Sequence, residues 1–440
     1  MTDQEKIHDV IGVGFGPSNL ALAIALKERN AALDAIFLEA KDSFAWHPDM
    51  LLDNSDMQVS FIKDLVTLRN PASPYSFLSY LHAKGRMERF VNRKTFFPSR
   101  HEFNDYFTWA AAHHQDYCHY NQSVVRVAPV QGPNGAVELL DVVSEDPAGV
   151  QTRRRTRDLV LAVGGRPNVP EVFSELRGHP AVVHSSAYLS TVKPRLAASG
   201  RPLKVAVIGS GQSGAEIFWD LANDVARPEV DFIFRSHALK PSDDSPFVNE
   251  IFDAGFTSYV FNQPPQRRAA VLAEYANTNY SVVDGDLIEQ IYGLFYEQDV
   301  VGGNSHALLR STRVVAAESG PAPETGQHPQ VELLLAPVEG GEELRCRYDL
   351  VILATGFRRR LGETLLAGLE EFLTGVETDR GYRIGTTAGF GPRIFLQGYS
   401  ENTHGLSDTL LSVLPVRADE IASGLMSPRD KDRQLLTAAE

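Results

Sequence analysis

The sequence predicts an α/β fold: two parallel-sheet units, one inserted into the other, plus a small, mainly helical region. Three observations predict it. Asp9-Val10-Ile11 reads as a strand that enters the turn Gly12-Val13-Gly14-Phe15-Gly16-Pro17, and residues 20–26 then alternate Ala and Leu as a helix does. The same order recurs where Lys204-Val205-Ala206-Val207-Ile208 runs into Gly209-Ser210-Gly211-Gln212-Ser213-Gly214 and a helix through Leu221. Finally, Asp158-Leu159-Val160-Leu161-Ala162-Val163-Gly164 is echoed by Asp349-Leu350-Val351-Ile352-Leu353-Ala354-Thr355-Gly356, each a buried strand ending in glycine. Both units are Rossmann-like: strand, glycine turn, helix, strand.

In chain order, the second strand of the first unit is Ala35-Ile36-Phe37-Leu38, ending on Glu39. Residues 40–70 are polar and irregular. A helix is expected from Ser73-Pro74, which has N-cap and N1 chemistry. Another covers 102–113, with Phe103, Tyr106, Phe107 and Ala110 on one face. The stretch 141–157 ends in Arg153-Arg154-Arg155 and reads as a solvated turn. In the second unit the return strand Val230-Asp231-Phe232-Ile233-Phe234 ends on Arg235. Residues 240–300 turn polar-aromatic and helical, and 316–345 predict a hairpin with loose turns. A strand at Ile394-Phe395-Leu396, an apolar helix including Leu410, Leu411 and Leu414, and a mobile tail over 427–440 complete the chain. The expected units are 1–170 together with 346–440, and 171–345 inserted between them.

Composition bounds the function. Of 440 residues, 43% are hydrophobic and 22% charged, near globular averages, so disorder and coiled coil are poor readings. The formal net charge of −14 repels phosphate backbones, which argues against nucleic acid as a partner. Two cysteines, Cys118 and Cys346, exclude a disulfide scaffold, a four-cysteine zinc site and a CxxC redox centre. No apolar run reaches the ~18 residues of a membrane span. The polar start, Met1 to Asp9, has no signal-peptide pattern. A protein of the reducing cytoplasm is expected, with no metal: the end of an amphipathic helix is the blander account of His113, His114, Cys118 and His119.

A glycine turn between strand and helix lets the backbone approach a pyrophosphate, and the helix N-terminus then faces the negative charge. The two second strands end differently. A carboxylate at Glu39 accepts ribose hydroxyls and repels a 2′-phosphate, whereas a guanidinium at Arg235 suits a 2′-phosphate. The first site, with Gly12, Gly14, Gly16 and Pro17, therefore reads as FAD-binding. The second, with Gly209, Ser210, Gly211, Gln212, Ser213 and Gly214, reads as NADPH-binding. Glycines that merely serve tight turns are the plain alternative. Pro17 stands where a third glycine is common, and is tolerated because the first helical N–H needs no partner. A disulfide reductase of this architecture would need a dithiol, which the chain lacks.

More specific segments lie outside the glycine turns. They are Asp56-Met57-Gln58-Val59-Ser60-Phe61-Ile62-Lys63-Asp64-Leu65, Asn70-Pro71 with Tyr75-Ser76-Phe77, and Ser245-Pro246-Phe247-Val248-Asn249-Glu250. Further along come Asn277-Thr278-Asn279-Tyr280-Ser281, Ala354-Thr355-Gly356-Phe357 and Thr403-His404-Gly405-Leu406-Ser407-Asp408. In these the chain resembles, from Asp9 to about Leu414, the flavin-dependent N-hydroxylating monooxygenases of siderophore biosynthesis. These are the L-ornithine and L-lysine side-chain-amine hydroxylases, and the likeness leans towards the ornithine enzymes.

The resemblance implies an FAD domain, an NADPH domain and a helical substrate region, in a homo-oligomer, tetramer or dimer. It implies O2- and NADPH-dependent hydroxylation of an amino acid's terminal amine through a C4a-hydroperoxyflavin. By motif, Glu39 to His47 (Lys41 and Trp46 among them) and Val125 would line FAD, with Gln58 near the reactive face of the ring. His404, Gly405 and Leu406 would approach the flavin. Ser210 to Ser213, Arg235 and Ser281 would hold NADPH. Lys63 would bind the substrate carboxylate, with Asn249, Asn279 and Ser407 also at the substrate. Gln58 and Asn279 are the pair expected at the reacting centre.

The residues agree in type. Lys63 sits among Phe61, Ile62 and Leu65, where an unpaired ammonium is costly; a surface lysine or a partner to Asp64 is its bland reading. Spacing alone reads Asn249 and Asn279 as helix-cap asparagines. Asp243, Asp244 and Glu250 suit either a cationic side chain or a solvated loop. Other readings are an L-lysine or diamine hydroxylase, another flavin monooxygenase that has no need of Lys63, and a non-catalytic nucleotide-binding redox sensor.

Overall fold

The computed structural model describes residues 6–53, 55–303, 305–321, 329–360 and 365–429. Most of the 427–440 tail therefore lies outside the described residues. The first unit is a sheet whose strands are β1 (Ile7–Val13), β2 (Ala35–Leu38), β3 (Cys118–His119), β4 (Ser123–Gln131), β5 (Val137–Glu145) and β6 (Gln151–Leu161). Its order is β3-β2-β1-β6-β5-β4. The second unit's sheet comprises β7 (Val182–His184), β8 (Lys204–Ile208), β9 (Glu229–Ile233) and β10 (His306–Leu309), then a strand late in the chain. Between them in sequence, β11 (Thr312–Ser319), β12 (Val331–Pro337) and β13 (Leu344–Tyr348) form a three-stranded antiparallel sheet. The chain then adds β14 (Leu350–Leu353) to the second sheet, giving the order β10-β9-β8-β14-β7, and β15 (Arg393–Leu396) to the first.

The long strand β6 does two jobs. Its first half pairs antiparallel with β5, and its second half pairs parallel with β1 on one edge and β15 on the other. Thus β15 returns the C-terminal segment to the strand ends where the first glycine turn lies. Apolar side chains cover both faces of each parallel sheet, as such sheets require. One face of the first sheet carries α1 (Pro17–Glu28), α2 (Phe77–Ala83), α3 (Arg100–Ala112) and a late helix; α4 (Gln212–Ala222) and α5 (Gly285–Val301) belong to the second unit. The late helix is α6 (Leu414–Met426).

Several expectations need correction. The second sheet runs through Leu353, past the expected boundary at 345, because β14 is an interior parallel strand of it, between β8 and β7. The helix expected from Ser73-Pro74 starts at Phe77, capped by Ser76 Oγ accepting Ser79 N at 3.1 Å; Ser73 Oγ donates instead to Glu28 Oε1 at 2.5 Å. Arg153-Arg154-Arg155 lies in strand β6, not in a turn; Arg155 Nε donates to Asp141 Oδ1 of the neighbouring strand at 2.9 Å. Leu410 and Leu411 precede the helix that Leu414 begins. The 316–345 segment supplies three strands rather than one hairpin, and 322–328 lie outside the described residues.

Candidate active site

At the first glycine turn, Gly14 has φ +83°, and a Cβ there would stand 2.7 Å from Ala162 O. At Gly12 a Cβ would stand 2.2 Å from Phe37 Cδ1. The turn therefore tolerates only glycine at both positions. Asn19 braces it: Nδ2 donates to Gly14 O at 2.6 Å, and Gln397 Nε2, just past β15, donates to Asn19 Oδ1 at 2.7 Å. Ser18 Oγ accepts Arg417 Nη2 at 2.9 Å, and Arg417 is itself buried against Asp408. Gly16 caps α1 without a side-chain bond, and the first turn carries no acidic residue. That leaves its amides to an anion, which is what a bound pyrophosphate needs. Glu39 is oriented against the turn: Oε2 accepts Phe15 N at 2.7 Å and Oε1 accepts Lys41 N at 3.0 Å. These residues fit FAD.

The rest of the expected flavin set lies in the segment that follows β2 and in β4. Lys41 Nζ donates to Ala45 O at 2.7 Å. Trp46 stands edge-on to Phe107, ring centres 5.4 Å apart. His47 takes a left-handed conformation (φ 45°). Val125 sits at a bulge in β4, 42% exposed.

The second turn repeats the design. A Cβ on Gly209 (φ +132°) would stand 2.2 Å from Ala354 O, and one on Gly214 would stand 2.2 Å from Gly209 O. Gly214 thus lets α4 pack onto its own turn. Here too the capping residue, Gly211, makes no side-chain bond, and no acidic residue occupies the first turn. The turn opens on a cleft of about 2370 Å³ that Ser210, Gln212, Ser213 and Arg235 line. Arg235 is exposed, two residues beyond β9. These residues fit a 2′-phosphorylated dinucleotide.

Gln58, Lys63, Asn249, Asn279 and Ser281 line the same cleft, although they come from three distant segments. Phe357 lines it too, and its ring lies 5.9 Å from the ring of His47. Lys63 corrects the apolar-pocket argument: its Nζ lies 3.8 Å from Asp253 Oδ1. Asp64 is no partner to it, because its carboxylate accepts the Val66, Thr67 and Phe77 amides. The Asn249 side chain makes no helix-capping bond, Nδ2 donating to Asp244 O at 2.7 Å, whereas Asn279 closes the turn 276–278 through its backbone N–H, which donates to Ala276 O. Ser281 holds φ 59° with its Cα against Gly211.

The C-terminal segment His404–Ser407 is buried. The His404 side chain is fully buried, stacked 4.1 Å from Tyr382, with Nδ1 at 2.8 Å from Thr403 Oγ1. Burial lowers its pKa to about 4, so the ring stays neutral. Gly405 beside it has φ +96°, and Leu406 is buried as well. Ser407 does not line the cleft, whereas Leu410 and Ser412 do. Its Oγ is nevertheless buried without a hydrogen-bond partner, an expensive state for a hydroxyl that a ligand would relieve.

Three features escaped the sequence reading. Tyr280 Oη donates to Glu401, and burial pushes the Glu401 carboxyl up and the Tyr280 phenol to about 12. Arg100 makes a two-pronged pair with Glu216, at 2.8 and 2.7 Å, between the first unit and the second. Burial pushes the Glu216 carboxyl up, and the guanidinium pulls it back towards the charged form. Asp284 bonds both Gln58 and Gln212. Glu216, four residues after Gln212 and between the apolar Ala215 and Ile217, was the one legible signal among them.

Two sheets, each with a strand that runs into a glycine turn and a helix, define a flavoprotein of the two-dinucleotide class. The chain belongs to the L-lysine 6-monooxygenase/L-ornithine 5-monooxygenase family, whose profile matches residues 6–359. An L-ornithine N(5)-monooxygenase of Pseudomonas aeruginosa is 48% identical over 422 residues, covering 95% of this chain and 94% of the relative. The structure of ornithine hydroxylase from that organism superposes with a TM-score of 0.89 at 47% identity, covering 96% of this chain and 99% of that one. An ornithine N-hydroxylase of Kutzneria sp. 744, solved with reduced FAD, NADP+ and L-ornithine, gives a TM-score of 0.88 at 36% identity, covering 96% and 99%. No helix among the described residues is long and apolar enough to cross a membrane.

Proposed function

We propose that this protein is an L-ornithine N5-monooxygenase: with NADPH and O2 it hydroxylates the side-chain amine of L-ornithine, supplying a hydroxamate precursor for siderophore biosynthesis. The observation that carries the reading is the meeting of Lys63, Asn249, Asn279 and Gln58 with the second glycine turn in one cleft. The near-whole-chain likeness to ornithine hydroxylases supports the substrate. FAD, when bound, supplies the oxygen chemistry with electrons from NADPH; the protein supplies binding, orientation and exclusion of water.

Glu39 accepts the ribose hydroxyls, the open amides of α1 take the pyrophosphate, and Val125 of β4 lines the flavin. Ser210 to Ser213 and Ser281 hold the second dinucleotide, Arg235 its 2′-phosphate, and Asn279 touches its nicotinamide ribose. Lys63 pairs with the substrate α-carboxylate, which exchanges the long contact to Asp253 for a shorter charged one. Asn249 and Asn279 hold the substrate with neutral amides. The attacking nitrogen needs a lone pair, and a free alkyl ammonium keeps its proton up to a pKa of about 10. A neutral-amide site does not favour the ammonium, and desolvation promotes the neutral amine. Gln58 and Asn279 orient the reacting groups. The two free cysteines suit a reducing cytoplasm, and a homo-oligomer is the expected assembly.

The test is kcat/KM for L-ornithine, L-lysine and putrescine side by side, with hydroxylamine product quantified. Ornithine is expected to lead lysine by about 10–200-fold, the discrimination that one methylene allows. Equal turnover of lysine overturns the substrate, and NADPH-independent behaviour with every amine overturns the activity.

A further inference from the structure

Asp284 follows the short strand Val282–Val283 and stands at the N-terminus of α5, yet its side chain makes no bond to that helix. The carboxylate lines the cleft instead. Oδ1 accepts Gln58 Nε2 at 2.9 Å, and Oδ2 accepts Gln212 Nε2 at 2.7 Å. Its own backbone N–H donates to Gln212 Oε1 at 2.9 Å. Gln58 belongs to the loop of the first unit, while Gln212 is the first residue of α4, inside the second glycine turn.

A carboxylate only accepts hydrogen bonds, whereas an amide side chain has one donor end and one acceptor end. Asp284 must therefore meet both glutamines at nitrogen. Gln212 is held at both ends, its nitrogen also donating to Glu216 Oε1 at 2.9 Å. Gln58 is held by its nitrogen, which leaves Oε1 as the end available to a ligand.

We infer that Asp284 is a positioning residue that sets the orientation of the Gln58 amide and couples it to the pyridine-nucleotide turn through Gln212. A dinucleotide that settles on Gln212 is then sensed at Gln58, and by linkage the coupling is reciprocal. This rests on the reading that FAD binds beside Gln58 and NADPH at the second turn. A purely structural role for Asp284 as a helix cap has no bond to support it.

The experiment uses the FAD-bound full-length protein: wild type, Asp284→Ala, Asp284→Asn, Gln58→Ala and the double variant Gln58→Ala/Asp284→Ala. NADP+ is titrated calorimetrically while the flavin absorption spectrum is followed. Wild type is expected to bind NADP+ with a shift in the flavin spectrum. Asp284→Ala is expected to bind with a Kd within about tenfold of wild type but to lose the shift, as Gln58→Ala does. The double variant should then match either single variant, because the residues act through one contact. Asp284→Asn, nearly isosteric, presents one nitrogen that must face a glutamine nitrogen unless an amide flips; it should weaken the shift, and it keeps the test open if the alanine variant does not fold. A wild-type flavin response preserved in both Asp284 variants overturns the inference, as do additive effects of Asp284→Ala and Gln58→Ala. A wild type that binds no NADP+ overturns the underlying cofactor reading instead.

Discussion

Lys63 reaches the cleft with its ammonium 3.8 Å from an exposed aspartate, so its charge is only loosely held before substrate arrives. Lys63→Ala should leave flavin reduction by NADPH intact while the apparent affinity for ornithine falls by at least about tenfold, as loss of a charged hydrogen bond implies. Unchanged ornithine affinity in a binding titration removes Lys63 from the site. His114 bears on stability rather than on the site. It is buried at the end of α3, with Nδ1 donating to Ala110 O at 2.9 Å and Nε2 without a partner. Burial lowers its pKa from 6.5 to about 4. Between those values the unfolded chain binds a proton that the folded chain refuses, so stability falls as pH drops through that window and is unaffected above it. His114→Phe removes the titration. The wild-type urea midpoint should therefore fall further than the variant's between about pH 7 and about pH 4.5; parallel losses would show that His114 is not responsible.

At the scale of elements, the strand–turn–helix units divide their labour by what ends the second strand. β2 leads to Glu39, which is tied to the turn, and β9 leads to Arg235, which is exposed at the cleft. The wild type should prefer NADPH over NADH. In Arg235→Ala, KM for NADPH should rise by about tenfold or more while KM for NADH stays put, because only the former carries the 2′-phosphate. Steady-state kinetics with both nucleotides decides it, and equal use of NADH by the wild type defeats the assignment.

At the scale of the molecule, the two units are joined by Arg100 at the start of α3 and Glu216 within α4, both largely buried. Removing one partner strands the other's charge in a poorly solvated place. Arg100→Ala should cost about 3–5 kcal/mol in urea unfolding, whereas replacing both, as Arg100→Met with Glu216→Leu, should cost clearly less. Equal losses in the single and double variants would mean that the pair contributes packing rather than charge compensation.

The sequence by itself determined the two parallel-sheet units, their glycine turns and the contrast between Glu39 and Arg235. Each of these is written in local pattern: strand periodicity, turn chemistry and the residue that ends a strand. It also placed Gln58, Lys63, Asn249 and Asn279 on the residue roster, through segments that resemble a known family. Local pattern misled where another rule competed: Ser76 rather than Ser73 caps α2, and three arginines that read as a turn lie in β6, where Arg155 pairs with Asp141. Only the tertiary structure decided that His404 turns its ring into the core, and that β14 belongs to the second sheet. It alone showed that Asp284 joins two glutamines and that Arg100 meets Glu216. The physical reason is separation along the chain. A hydrogen bond is set by distance and direction in space, and partners 72, 116 or 226 residues apart leave no periodicity for a sequence to display.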